Sequence, residues 1–340
     1  MSQQLLPEPR SGDLLQVSDL KVMVNAVDGG QLAFIDRANF SIGFEESLGI
    51  VGESGSGKSM LCRALIGTLG RYGAGVTAGS IMFEGAELAS ASGRAWRAVR
   101  GRRIGYIPQS SMAGLNPVLT VGTQMLEAIT ADTPLRGAEA RTEAIRYLEL
   151  VQLPRPAELM RKRSHELSGG MRQRVMIAAA IARKPVLLLA DEPTTALDVS
   201  VQRDILAMLR ELRAELGMSL VLVSHDLAVI EEVCDRVLVM YAGATVETGK
   251  VGDVVSVPQH PYTAALLGSR IESAARGTDL VTIAGEPPLA GAWPLGCRFW
   301  TRCPVAQDDC RIGLQPEMRV LGDRMTACLH AEEGGYRELV

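Results

Sequence analysis

The segment of the sequence most suggestive of chemistry is a glycine-rich loop made of Gly52, Glu53, Ser54, Gly55, Ser56, Gly57, Lys58 and Ser59. Glycines let successive backbone N–H groups converge on phosphate oxygens, and the N-terminus of a following helix adds a positive field. We expect Lys58 to contact the β- and γ-phosphates of a nucleotide and the Ser59 hydroxyl to bind Mg²⁺. The alternative is a glycine-rich turn without a ligand. An apolar strand pattern before the loop and a helical pattern after it argue against that alternative.

Two carboxylates, Asp191 and Glu192, follow a buried-strand pattern at Val186–Ala190. Ligands of open parallel sheets bind at the carboxyl ends of strands. We therefore expect Asp191 to hold Mg²⁺, directly or through water, and Glu192 to orient and polarise an attacking water. An acidic strand end exposed to solvent is the alternative, and the phosphate loop upstream favours the nucleotide site.

A second candidate anion site opens the helical pattern that precedes this strand. Ser168 is a helix-capping residue type, and Gly169 and Gly170 leave backbone N–H groups open. The octet Leu167–Arg174 closely resembles the signature motif of ABC ATPases. Three further motifs resemble the same family in order along the chain, namely Gln109 as the glutamine loop, Ala196-Leu197-Asp198 as the loop that meets a partner, and His225 as the switch histidine. The resemblance covers roughly residues 14–255.

The resemblance implies roles for these residues. ATP is bound between two subunits, so the chain needs a second ABC ATPase subunit, either a copy of itself or a related chain. Across that interface the γ-phosphate contacts are made by Ser168, Gly169 and Gly170, and Asp198 meets the partner. The catalytic residues are Glu192, His225 and Gln109, and the Mg²⁺ ligands are Ser59, Gln109 and Asp191. Gln109 also links the nucleotide to a helical insertion that contacts membrane subunits.

Recognition of adenine is the point at which the sequence departs from the family pattern. Members often stack an aromatic ring from the N-terminal strands on the base, and no aromatic residue lies between Leu20 and Gly30. Phe34 is the nearest candidate. Aliphatic contact with the base is the alternative.

The elements that position these residues are strand-like runs separated by helical patterns, which indicate a mostly parallel sheet covered on both faces. Together with the resemblance, they predict an α/β fold, a P-loop NTPase of ABC type. It has a RecA-like parallel-sheet core, an N-terminal antiparallel β subdomain and a helical insertion at about residues 110–170. We expect a disordered tail at residues 1–12, the nucleotide-binding domain at 13–255 and a small, loop-rich appendage at 256–340.

The appendage carries the marks of a narrower group. The segments Gln259–Leu267, Pro287-Pro288 and Gly296–Pro304 resemble the ATPases of dipeptide, oligopeptide and nickel importers. Four cysteines lie here, Cys297, Cys303, Cys310 and Cys328, with five, six and seventeen residues between them. Four thiolates bind either one tetrahedral ion or one cubane cluster. The close cysteine pair of most zinc sites is missing, and the resemblance also favours [4Fe–4S]. Zinc or free thiols are the alternatives.

The predicted function is that of an ATP-hydrolysing subunit of a dipeptide or oligopeptide importer. Two permease subunits and an extracytoplasmic binding protein are the implied partners. No apolar run is long enough for a membrane helix, which predicts a peripheral protein at the cytoplasmic face of the inner membrane. The net charge of -4 argues against a nucleic-acid partner. The alternatives are another cargo (nickel, glutathione, an opine or an oligosaccharide), a soluble ABC ATPase, and an ATP-dependent iron–sulfur redox protein.

Overall fold

The computed structural model describes residues 12–25, 30–110, 114–131, 133–195, 197–269 and 283–339. Most of the expected N-terminal tail, residues 1–11, lies outside these ranges. So do Ala196 of the expected partner loop and residues 270–282 of the expected appendage.

The strands of the described residues are numbered in chain order. They are β1 (Asp13–Asn25), β2 (Gln31–Gly43), β3 (Ser47–Val51), β4 (Ala74–Phe83), β5 (Ala86–Glu87), β6 (Ile104–Ile107), β7 (Leu187–Asp191), β8 (Ser219–Ser224), β9 (Arg236–Tyr241), β10 (Ala244–Lys250), β11 (Arg319–Leu321) and β12 (Arg324–Thr326).

The α-helices are numbered in the same way. They are α1 (Lys58–Leu65), α2 (Gly93–Val99), α3 (Val121–Thr130), α4 (Gly137–Leu150), α5 (Pro156–Leu159), α6 (Gly169–Ile181), α7 (Val199–Leu216), α8 (Leu227–Val233), α9 (Val251–Ser256) and α10 (Pro261–Gly268). None of them is both long and apolar enough to cross a bilayer.

The N-terminal strands form an antiparallel sheet in the order β2-β1-β4-β5. Residues 14–17 and 20–24 alternate locally like two short strands, but they form one strand, β1. Its register shifts between Val17 and Leu20, and Asp19 in between has a φ of 46°. A bulge of this kind bends a strand without ending it, and a periodicity argument therefore divides the strand at that point.

The second sheet has the order β11-β12-β10-β9-β3-β8-β7-β6, and its five strands from β9 to β6 are parallel. Every residue of β3, β7 and β8 is buried. Along β7, Leu187 and Leu189 belong to one hydrophobic core, whereas Leu188 and Ala190 belong to the other. Both faces of these strands are therefore covered, which explains why their sequences are continuous apolar runs. The predicted fold class is confirmed.

Helices α3, α4 and α5 occupy the stretch in which the sequence predicts a helical insertion. Helices α3 and α4 pack against α6, and α5 packs against α4. Tyr147 on α4 is fully buried there. This packing places the start of α6, which carries the signature residues, at the edge of the helical region.

The expected appendage, whose described residues 256–269 and 283–339 are called the C-terminal segment below, is attached to the core by sheet pairing. Strand β12 pairs with β10, and β11 pairs with β12. The sheet thus continues across the expected division near residue 255. The carboxylate of Glu247 on β10 is fully buried and accepts hydrogen bonds from the backbone N–H groups of Gln259 (2.8 Å) and His260 (2.9 Å). These bonds fix the chain just before α10 begins.

Candidate nucleotide site

The glycine-rich loop lies between β3 and α1, as the sequence predicts. Its backbone adopts conformations that require glycine, because Gly55 has a φ of 82° and Gly57 a φ of 103°. At Gly52, where φ is 156°, an added Cβ would lie 2.2 Å from the carbonyl oxygen of Met240. The loop therefore packs directly against the end of β9 and leaves no room there for a side chain.

Lys58 is buried beneath the loop and donates to the loop's own carbonyl oxygens. Its Nζ lies 2.6 Å from Gly52 O and 2.9 Å from Glu53 O. Burial lowers the pKa of the ammonium group, while the nearby carboxylates of Glu192 and Asp191 oppose that shift. An ammonium group held in this way can exchange carbonyl partners for phosphate oxygens after a small movement.

Ser59 and Asp191 are brought together from distant parts of the sequence. The Ser59 hydroxyl donates to Asp191 Oδ1 at 3.1 Å, and the Tyr106 hydroxyl donates to Asp191 Oδ2 at 3.3 Å. Burial raises the pKa of the Asp191 carboxyl. A hydroxyl and a carboxylate oxygen at this separation are the donor types that Mg²⁺ prefers, so the pair fits the expected ion. Tyr106 was not anticipated, because nothing in its local sequence separates it from an ordinary strand residue.

Glu192 follows β7 in a left-handed backbone conformation, with a φ of 47°. Its Oε2 accepts hydrogen bonds from Gln109 Nε2 at 3.0 Å and from Thr195 Oγ1 at 2.9 Å. His225 Nδ1 lies 3.7 Å from the same oxygen. The contact with His225, followed by the bond from Thr195, lowers the pKa of Glu192 to about 2, and Glu192 in turn raises the pKa of His225.

The three predicted catalytic residues thus meet at one carboxylate oxygen. Gln109 is 83 positions from Glu192 in the sequence, and the parallel pairing of β6 with β7 brings them together. Among the described residues, the side chain of Gln109 donates its hydrogen bond to Glu192. That bond does not go to Ser59 or Asp191, the other two expected Mg²⁺ ligands.

A cleft of about 330 Å³ opens above the loop, lined by Phe34, Ser54, Gly55, Gly57, Lys58, Ser59, Met60, Gln109, Glu192 and His225. Gly52, Ser56 and Asp191 lie beneath this surface and support it. Phe34, the nearest aromatic candidate for contact with adenine in the sequence, lines the cleft. Strand β2 places it there, although Phe34 lies outside the stretch from Leu20 to Gly30.

The signature residues do not line this cleft. Ser168 caps α6 by accepting a hydrogen bond from Met171 N (3.3 Å), and Gly170 packs so closely that a Cβ would lie 2.7 Å from Val201 Cγ1. Asp198 caps α7 by accepting from Val201 N (3.0 Å). A single chain therefore presents its phosphate loop and its signature helix on separate surfaces.

The four C-terminal cysteines surround one cavity, together with His260, Trp300 and Tyr336 among others. Burial raises the pKa of Cys297 to about 12 and that of Cys303 to about 11. These two thiols are therefore protonated at neutral pH unless a cation binds them. The remaining cysteines, Cys62 and Cys234, are buried in the hydrophobic cores, as expected for small apolar side chains.

The spacing of the described cysteine sulfurs does not match a single tetrahedral ion held by the four cysteines. Zinc–sulfur bonds of about 2.3 Å place tetrahedral thiolates about 3.8 Å apart. Among the described residues, no three of the four cysteines have sulfurs mutually within 4.8 Å, and the one group of candidate ligands that meets this limit is Asp309, Cys310 and His330. An iron–sulfur cluster holds its thiolates farther apart because iron and sulfide lie between them.

Two residues that line this cavity, His260 and Trp300, also carry a buried ring nitrogen without a hydrogen-bond partner among the described residues. His260 Nδ1 accepts from Tyr262 N (3.0 Å), which leaves the imidazole proton on Nε2. Neither His260 Nε2 nor Trp300 Nε1 has a hydrogen-bond partner in the described part of the chain. Buried donors are rarely left unpaired, and sulfur atoms of a cluster would accept from both. The donor set therefore fits a [4Fe–4S] cluster.

Comparison with known proteins agrees with this geometry. The family model described as ABC transporter matches residues 35–195, and the model for the C-terminal region of oligopeptide/dipeptide transporters matches residues 246–310. The oligopeptide transport ATP-binding protein OppD of Salmonella typhimurium is 42% identical over 330 residues, 96% of each chain. The dipeptide transport ATP-binding protein DppD of Bacillus subtilis is 42% identical over 291 residues, 86% of this chain and 87% of that one.

Solved structures give the same result for the core. The ATP-binding cassette MJ0796, solved as a post-hydrolysis dimer bound to ADP and Pi, has a TM-score of 0.63 and 25% identity, and the match covers 70% of this chain and 98% of that chain. Hence the chain belongs to the ABC transporter ATPases, in the branch of oligopeptide and dipeptide transport ATP-binding subunits. It is an ATPase.

Proposed function

We propose that this chain is a motor subunit of an importer that carries dipeptides or oligopeptides across the cytoplasmic membrane. The observation that carries the proposal is the 42% identity to an oligopeptide transport ATP-binding protein, maintained over 96% of both chains. Because the match includes the C-terminal region, it extends beyond the ATPase core that transporters of many cargoes share.

The site residues have the following proposed roles. Lys58 leaves the loop carbonyls to bind the β- and γ-phosphates, where backbone N–H groups of the glycine-rich loop also donate. Ser59, Asp191 and Gln109 would hold Mg²⁺, which would offset the negative charge of the phosphates. Glu192, ionised because its pKa is near 2, orients and polarises the attacking water, and His225 contacts the γ-phosphate.

Completion of the site requires a second ABC ATPase subunit. Since Ser168, Gly169 and Gly170 lie away from this chain's own cleft, we propose that they contact ATP held by the partner, and that the partner's signature residues contact ATP held here. Asp198, at the exposed start of α7, lies at this interface. The partner is either a copy of this chain or a related chain.

This chain has a groove of about 390 Å³ between β6 and the helical region, which is a candidate docking site for the permeases. Its lining is mostly apolar and includes Tyr106, Pro108, Leu115, Ala128, Met176 and Ala179. Pro108 directly precedes Gln109, so a permease helix seated in the groove would contact the chain between the end of β6 and Gln109. We propose that two permeases hold the pair of ATPases at the cytoplasmic face of the membrane, and that an extracytoplasmic binding protein delivers the peptide.

The test is ATP hydrolysis by the complex purified from membranes, with and without a peptide-loaded binding protein. Stimulation by peptide is the expected result. Stimulation by nickel, glutathione, an opine or an oligosaccharide, with no response to peptides, would replace the cargo while keeping the motor. Failure of any membrane partner to co-purify would remove the transport role.

We also propose that Cys297, Cys303, Cys310 and Cys328 hold a [4Fe–4S] cluster, which would cross-link the loop-rich segment. The protein purified without oxygen should contain about four iron and four sulfide per chain. Cys310→Ser should remove most of the iron and sulfide. The matched Cys62→Ser change, in the hydrophobic core far from this cavity in sequence, should leave the iron and sulfide content intact. One zinc per chain, lost in His330→Ala as well as in Cys310→Ser, would assign the site to Asp309, Cys310 and His330.

A further inference from the structure

The second residue of the phosphate loop, Glu53, is held by the C-terminal segment. Its carboxylate accepts two hydrogen bonds from the guanidinium of Arg302, from Nη1 to Oε2 at 2.6 Å and from Nη2 to Oε1 at 3.0 Å. Arg302 lies 249 positions away in the sequence, between two of the cavity cysteines, Cys297 and Cys303. A paired, planar contact of this type fixes direction as well as distance.

The backbone of Glu53 is held as well. Its N–H donates to the hydroxyl of Tyr262 on α10 at 2.7 Å. Tyr262 is fully buried, and its ring packs against Tyr241 (4.6 Å between centroids) and Phe299 (5.4 Å). Because neighbouring rings fix the position of Tyr262, its hydroxyl is a rigid acceptor for the loop.

Arg302 is equally constrained. Its side chain is 3% exposed, and it also donates to the backbone oxygens of Ala284 (2.9 Å) and Ile283 (3.2 Å). The hydrogen bond to Glu53 raises the pKa of the guanidinium, so the group is always charged. Both contacts to Glu53 therefore come from side chains that have little freedom to follow the loop if it moves.

Glu53 also stabilises the conformation of the phosphate loop through its backbone carbonyl group. The carbonyl oxygen of Glu53 accepts from Lys58 Nζ (2.9 Å) and from the backbone N–H of Ser56 (3.2 Å). When Lys58 exchanges this carbonyl for phosphate, only the turn itself and the two external contacts keep Glu53 in place. A loop that is already in its binding conformation loses less entropy when ATP binds.

We propose that Arg302 and Tyr262 are positioning residues for ATP, through which the C-terminal segment holds the phosphate loop in its binding conformation. They act through Glu53 and touch no nucleotide themselves. The inference rests on the ATPase activity of the chain and is independent of the proposed cargo and of the group held by the cysteines. It gives the C-terminal segment a direct part in nucleotide affinity.

The test compares Arg302→Met with Arg37→Met in the full-length chain. Arg37 on β2 also forms an ion pair with the C-terminal segment, to Glu317 at 3.1 Å, but it does not touch the phosphate loop. Titration calorimetry with Mg-ATP should show about tenfold weaker binding for Arg302→Met and unchanged binding for Arg37→Met. Arg302→Lys, which keeps the charge but not the paired geometry, should fall between wild type and Arg302→Met.

Steady-state kinetics of the assembled complex separate positioning from catalysis. In Arg302→Met the KM for ATP should rise by a similar factor with kcat within about twofold of wild type, because Glu192 and His225 are not disturbed. Tyr262→Phe, which deletes one oxygen, should raise KM about threefold. If Arg302→Met does not fold, Tyr262→Phe and Glu53→Gln still test the proposal, and each should weaken Mg-ATP binding about threefold.

Wild-type affinity in these variants would overturn the inference. An equal loss of affinity in Arg37→Met would overturn it too, because general loosening of the C-terminal segment would then explain the result. If the wild-type chain itself bound no Mg-ATP, the ATPase assignment would fail instead, which distinguishes the two hypotheses.

Discussion

Replacing Glu192 by glutamine is the most informative single change at the nucleotide site. The amide oxygen of glutamine can still accept the hydrogen bonds that Gln109 (3.0 Å) and Thr195 (2.9 Å) donate to Glu192 Oε2. The two side chains have nearly the same size. The variant therefore loses one negative charge, its proton acceptor and its ion pair with His225, while it keeps the hydrogen bonds from Gln109 and Thr195.

The expected effect on turnover is large. A positioned general base contributes roughly 10²- to 10⁴-fold to a rate. At about 1.4 kcal/mol for each factor of ten, its removal should raise the barrier by about 3 to 5 kcal/mol. Affinity for Mg-ATP should be retained or increased, because a carboxylate facing the γ-phosphate repels it. The variant should therefore trap ATP in a closed pair of subunits.

The assay must report on this chain alone, since a partner subunit has its own site. Photo-crosslinking with radiolabelled 8-azido-ATP, followed by separation of the subunits, identifies whether the nucleotide on this chain is ATP or ADP. Wild type should yield ADP and Glu192→Gln should yield ATP. Thr195→Val is the control, because it deletes one hydrogen bond but keeps the carboxylate, and it should reduce turnover by less than tenfold.

Formation of ADP on the Glu192→Gln chain at more than a tenth of the wild-type rate would refute the assignment. Another group would then have to orient the water. Loss of nucleotide binding in the variant would contradict a different step of the reasoning, namely that the charge of Glu192 is dispensable for holding ATP.

Three further outcomes are expected. Because Glu192 raises the pKa of His225 above 6.5, the ion pair between them is complete below pH 6.5 and is lost as pH rises through the raised pKa. NMR titration should show a lower pKa of His225 in Glu192→Gln than in wild type. An unchanged pKa would refute the contact. Phe34→Leu should weaken Mg-ATP binding about five- to tenfold while Phe34→Tyr preserves it, and equal binding by both would exclude stacking on adenine. Glu247→Ala should destabilise the fold by about 3 kcal/mol or more in denaturant unfolding, because it leaves two buried N–H groups unpaired; a midpoint equal to that of wild type would show that water replaces the carboxylate.

The sequence alone determines the chemistry of the nucleotide site and the main elements of the fold. The loop from Gly52 to Ser59 is contiguous, so its backbone geometry and its lysine are encoded locally. The apolar runs within β3, β7 and β8 are equally explicit, since strands buried on both faces are built mainly from apolar residues. Local patterns of this kind need no knowledge of distant contacts.

The tertiary structure alone decides which distant residues meet. Phe34 reaches the cleft because the N-terminal sheet packs beside the phosphate loop. No local sequence pattern predicts that these two elements meet. Sheet pairing between β10 and β12 brings the C-terminal segment against the core, so that Arg302 and Tyr262 reach Glu53. Long-range contacts depend on how whole elements pack, whereas a sequence pattern specifies only what each element is able to bury. The physical reason for the division is that local geometry is set by neighbouring residues, but a site is set by the fold.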